Sequence, residues 1–170
     1  MKLRLLAVAA AVLLFSKAVS AEPMRFPGYT WDAPLKFNAV QELGPDAYLA
    51  AYPAEAGENE AKIELIVIST PRESVAAMQE GGANPRTLAL ATFMGLTGQP
   101  EQINKAMFLG ETEARLVYQA DFPRPHIVHI FQKMLDDGSM VTVALRNYGA
   151  PPAEFGKALQ ALSETFQVTP

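Results

Sequence analysis

The chain has no cysteine among its 170 residues. An exported protein built this way is held by its core rather than by disulfides, carries no thiolate nucleophile, and offers no residue for a lipid anchor. Histidine is nearly as scarce, with only His126 and His129. They stand three apart in a segment that reads as a strand, so their side chains project to opposite faces and do not converge on one metal. Zinc would then need carboxylates drawn from other loops, and no ligand spacing suggests such a set. No metal or cofactor is expected.

Other absences narrow the chemistry further. No Gly-x-Ser-x-Gly elbow is present, and Ser69, Ser74, Ser139 and Ser163 fall at turn or helix positions. A Ser-His-Asp set assembled in space, for instance His126 with Asp121, stays open. Glu111 and Glu113 share a strand face, but Arg115 follows on the same face, which reads as a solvated charged row. Asp136-Asp137-Gly138 opens like a calcium loop yet lacks alternating ligands, with Asn147 where the closing glutamate belongs. Gly81-Gly82 follows a helix instead of leading from strand to helix, so it is no phosphate loop. There is no internal repeat and no low-complexity segment.

Basic residues are also in deficit, 14 against 18 acidic, for a formal charge of −4. Three of them sit in a leader. Met1-Lys2-Leu3-Arg4 is positive, Leu5–Phe15 is an unbroken apolar run, and Val19-Ser20-Ala21 supplies small residues before a cut. That order is the pattern of a secretory signal peptide, residues 1–21, and its apolar run falls short of the roughly 20 residues a membrane span needs. Cleavage after Ala21 leaves 149 residues, enough for one domain with its own core. Loss of Lys2, Arg4 and Lys17 takes the formal charge from −4 to −7. With no basic cluster left, nucleic acid and anionic membrane surfaces are poor partners, and no membrane span is expected after cleavage. The expected location is the periplasm or the extracellular medium.

What remains is a single α+β domain, 35–170, preceded by an arm, 22–34. The arm is rich in proline and aromatics, which argues against a regular element. Tyr29 and Trp31 are its candidate binding residues if the aromatics form an exposed patch; otherwise they pack onto the domain edge. Leu35–Gln41 and Ala47–Tyr52 read as strands joined by a turn at Glu42–Asp46, and Lys62–Ser69 as a strand with a half-solvated start and a buried end. Thr70-Pro71-Arg72-Glu73 matches a capping box, opening a helix to about Glu80. Asn84-Pro85 opens a second through about Leu96, apolar over most of its circumference. Beneath it there is either packed core or an apolar ligand cavity. Ile103–Leu109 starts a returning sheet, continued by strands within Gly110–Ala120, His126–Leu135 and Met140–Arg146. Asp136–Ser139 forms the hairpin turn between the last two. Phe155, Leu159, Leu162 and Phe166 lie on one side of a closing helix, about Ala153–Phe166.

This order of elements resembles the Mog1/PsbP/DcrB-like superfamily, carried by Lys62–Ser69, the helix pair Pro71–Leu96, the meander Gly110–Arg146 and the run Phe155–Phe166. The resemblance implies an antiparallel sheet with helices on both faces, an α-β-α sandwich. It also implies a small non-enzymatic binding or accessory protein that assists a larger assembly, here in the bacterial cell envelope. An envelope protein or a small apolar ligand is the expected partner. A small hydrolase with a spatially assembled histidine site, or a carrier of an apolar ligand, is the alternative.

Overall fold

The computed structural model describes residues 22–58, 60–84, 87–88, 90–92, 94, 103–109, 113–118 and 126–169. The expected leader and its cut therefore lie outside the described residues. Among the described residues there are ten strands: β1 (Glu22–Phe26), β2 (Tyr29–Ala33), β3 (Gln41–Gly44), β4 (Ala47–Tyr52), β5 (Lys62–Thr70), β6 (Ile103–Phe108), β7 (Glu113–Tyr118), β8 (Ile127–Met134), β9 (Met140–Tyr148) and β10 (Gln167–Val168). Two helices have defined ends, α1 (Arg72–Glu80) and α2 (Pro152–Thr165), and the described residues between 87 and 94 are also helical. The protein is thus mixed α+β, mostly antiparallel sheet.

The main sheet runs β3-β4-β5-β9-β8-β7-β6. After β5 the chain leaves the sheet through the helical segment and re-enters at the far edge. It then returns by a meander until β9 pairs with β5 over nine residues, from Lys62↔Tyr148 to Thr70↔Met140. A period of two divides these strands between the sheet faces. On the first face Ile63, Leu65, Val67, Val141, Val143 and Leu145 are buried against Ala158 and Leu162 of α2 and Trp31 of β2. On the second face Ile66, Ile68, Val128, Ile130 and Ala144 form a separate cluster with Leu90 packed on it. Beside it, Val75 of α1 and Leu88 bury Met140. Strand β5 is covered on both sides, which is why its sequence is a nearly unbroken apolar run.

Three local expectations are corrected. The arm 22–34 is a β-hairpin, with each residue of β1 paired to β2 and Gly28 turning the chain at φ 79°. Proline is tolerated because β1 is an edge strand of the small sheet β1-β2-β10, so Pro23 has a side that needs no donor. The strand expected at Leu35–Gln41 instead begins at Gln41. Asn38 takes the ladder's place by accepting from the Ala51 N–H through Oδ1 at 2.7 Å and donating its own N–H to the Ala51 carbonyl at 2.9 Å. Nor does Thr70 cap α1: β5 extends through it, Pro71 is the N-cap, and no side chain bonds the helix start. Register with Met140 turns the Thr70 hydroxyl into the second face, where it is buried without a hydrogen-bond partner.

Three other local signals hold. Asn84 opens the second helical stretch by accepting from the Thr87 N–H (3.2 Å) while Thr87 Oγ1 accepts from the Asn84 N–H (3.0 Å), a reciprocal cap. At the Asp136–Ser139 turn, Gly138 takes φ 86° and Asp137 accepts from both the Ser139 N–H (2.9 Å) and hydroxyl (2.6 Å). Phe155, Leu159, Leu162 and Phe166 all belong to the first-face core.

Candidate functional site

Tyr29 and Trp31, the aromatic candidates of the arm, are inside the molecule. Alternation along β2 directs Tyr29, Trp31 and Ala33 inward, leaving Tyr29 7% exposed and Trp31 fully buried. The Tyr29 ring stacks on Phe166 (5.8 Å between centroids) and its hydroxyl bonds the Ser69 hydroxyl at 2.5 Å. Trp31 packs edge-on against Phe37, its indole N–H without a hydrogen-bond partner. These aromatics seal the small sheet to the main one and form no surface patch.

The two histidines occupy opposite faces, as their spacing requires. His126, just ahead of β8, is 5% exposed and lies against the Tyr148 ring at 4.6 Å on the second face. His129 is on the first face, stacked on Phe131 at 4.8 Å with the rings 10° from parallel. Asp121, the suggested partner of His126, lies outside the described residues, as does Glu111, while the other members of the charged row, Glu113 and Arg115, stand two apart on β7. Among the described residues, no group of three or more histidine, aspartate or glutamate side chains is placed to hold a metal.

Among the described residues, two places on the sheet gather polar and aromatic side chains. The first is an open groove of about 330 Å³ between α2 and β8, lined by His129, Phe131, Leu159, Gln160 and Ser163. It forms where α2, crossing the first face, stops short of β8: His129 and Phe131 make the floor, and the Leu159–Ser163 turn of the helix makes one wall. The floor is aromatic, one wall residue is aliphatic, and Gln160 and Ser163 offer hydrogen bonds at the rim. The Ser163 hydroxyl donates to the Gln160 carbonyl at 2.8 Å, so its proton is spent on the helix backbone and not on His129. That disposition suits contact better than nucleophilic attack.

The second is a charged cluster set into the second face at the Lys62 end of β5. Glu64 is only 6% exposed although it is ionisable. Its Oε1 lies 2.8 Å from Lys62 Nζ. Its Oε2 accepts from Arg146 Nε at 2.9 Å and faces Nη2 at 2.6 Å. Glu64 and Arg146 are direct cross-strand partners, as are Lys62 and Tyr148. The Tyr148 ring lies 5.2 Å from the Arg146 guanidinium and 5.7 Å from Lys62 Nζ, within cation–π range of both. A buried carboxylate is tolerated only when paired and hydrogen-bonded, and here two cations do both.

Sequence reasoning took the start of β5 as half solvated and missed this cluster. Lys62-x-Glu64 and Arg146-x-Tyr148 each show two polar groups on one strand face. Only the pairing register brings them together, and a one-residue slip would separate them. The expected greasy helix contributes Leu88 and Leu90 to packed core, while Phe93 and Leu96 lie outside the described residues. No helix among the described residues is long and apolar enough to cross a membrane. No protein-family model and no curated protein matches this chain.

Proposed function

We propose that the chain is an exported periplasmic binding protein, an accessory factor of the bacterial cell envelope, and that its architecture is the α-β-α sandwich of the Mog1/PsbP/DcrB-like superfamily. The observation that carries the binding role is the groove between α2 and β8. Its floor is a stacked ring pair on a central strand, its wall is a packed helix, and its polar groups are hydrogen-bonding amide and hydroxyl. Rigid elements with an apolar floor and a polar rim make a preformed contact site at little conformational cost. The leader pattern of residues 1–21 supports export, and cover on both sheet faces supports the sandwich. The occupant we assign is a segment of an envelope protein, since the groove is open along one side.

Native mass spectrometry of the protein released gently from its own periplasm tests this. A mass starting at Glu22 and a stoichiometric protein-sized adduct are expected. Ser163→Trp, which fills the groove from an exposed helix position, should abolish the adduct while leaving circular dichroism unchanged. A small-molecule adduct would favour the carrier of an apolar ligand. A bare monomer that turns over an ester or peptide substrate and loses this on His129→Ala would replace the binding role with a hydrolase.

A further inference from the structure

The charged cluster on the second face has an unbalanced charge. Among the described residues, Lys62 and Arg146 share the single carboxylate of Glu64, at 2.8 Å and 2.6 Å, which leaves one positive charge in excess within the trio. Their side chains retain only 15% and 19% exposure, so that surplus is held in a partly desolvated setting where an unmatched cation is costly. Both cations also keep donors beyond their bonds to Glu64. Arg146 commits Nε and Nη2 to Glu64 and keeps Nη1 free of that bond, while Lys62 spends one of its three N–H groups there. The Tyr148 ring lies against both heads, and the two strands that carry them are the paired centre of the sheet. Flanking positions are small or apolar: Ala51 stands opposite Glu64 on β4, and Val128 opposite Arg146 on β8.

We propose that Lys62 and Arg146, held by Glu64 and floored by Tyr148, form a binding site for an oxyanion group, a carboxylate or a phosphate, on a small ligand. The group restores neutrality, takes one hydrogen bond from the Lys62 N–H groups not directed at Glu64 and another from Arg146, and sits beside Tyr148. Glu64 acts as an internal competitor for the same two cations and sets the affinity low enough for release. The site lies on the opposite sheet face from the α2–β8 groove and stands whether or not that groove takes a partner.

The experiment follows the Arg146 Nε–H resonance of the full-length mature protein during titration with sodium phosphate and with sodium acetate, chloride holding ionic strength constant. A saturable shift is expected with at least one anion, and which one responds separates tetrahedral phosphate from planar carboxylate. Lys62→Met keeps the Glu64–Arg146 pair intact and should weaken binding about tenfold, the effect of one lost charge-assisted hydrogen bond. Glu64→Gln removes the competitor and should tighten binding several-fold, a gain that a merely structural ion pair does not give. No saturable shift with either anion, or wild-type affinity in Lys62→Met, overturns the site. If Glu64→Gln does not fold, the Lys62→Met comparison decides alone.

Discussion

Asp137 shows how a single side chain ties stability to pH. Its carboxylate accepts from the Ser139 hydroxyl and N–H, with the hydroxyl bond the largest cause, and these hold its pKa below the ordinary value of 3.8. The unfolded chain binds a proton there before the folded one does. The stabilisation is therefore complete above the unfolded value and is lost as pH falls through the folded one. Asp137→Asn should flatten the acid limb of urea-unfolding midpoints measured from about pH 6 down to about pH 2 by lowering the neutral midpoint, with the two proteins converging at the acid end. An acid limb as steep as wild type would mean other carboxylates dominate it. Thr70 gives a contrary case. A capping threonine costs about 0.5–2 kcal/mol when replaced, but this hydroxyl is buried and unpartnered. Thr70→Val should be neutral or stabilising, by up to about 1 kcal/mol in chemical denaturation. A loss of stability would restore the cap.

Elements differ in how far local residues determine them. The second helical stretch depends on its opening, where Asn84 and Thr87 exchange hydrogen bonds. Asn84→Ala should cost about 0.5–2 kcal/mol by denaturant unfolding, and Asn84→Asp much less, because aspartate also caps. If the two variants behave alike, the exchange contributes nothing. That cap was legible because it needs only residues within one turn. So were β4, whose bounds match the alternation of Ala47–Tyr52, and the turn at Asp137-Gly138, where backbone chemistry is local. The arm was not. Pro23 and Pro27 argue against a strand in isolation, and only the position of β1 at an edge makes it admissible. Thr70-Pro71-Arg72-Glu73 carried a valid cap pattern that long-range pairing with Met140 overrode. The charged cluster was illegible for the same reason, since Glu64 and Arg146 are 82 residues apart and meet only through register.

At the scale of the whole molecule, the two halves of the sequence close on each other. Strand β10 pairs with β2 through Gln167↔Thr30 and Val168↔Tyr29, and the Thr169 N–H donates to the Gly28 carbonyl at 2.8 Å. Removing residues 167–170 should cost about 1–4.5 kcal/mol, from two or three ladder bonds at about 0.5–1.5 kcal/mol each. Hydrogen exchange at Thr30 should lose protection while the paired core of β5 and β9 keeps it. Uniform loss of protection would show instead that the small sheet and the main sheet unfold as one unit.

The same closure orders events in time. If the chain is exported from its front end, as proposed, β1 and β2 are delivered before β10. The hairpin would then wait, with one edge of β2 open and Tyr29 without its stacking partner Phe166, until Phe166 and β10 arrive. The pairing of β2 with β10 then works as a completion signal: the small sheet cannot close before β10 is delivered. Until then, the open β2 edge is where a chaperone strand would find its place.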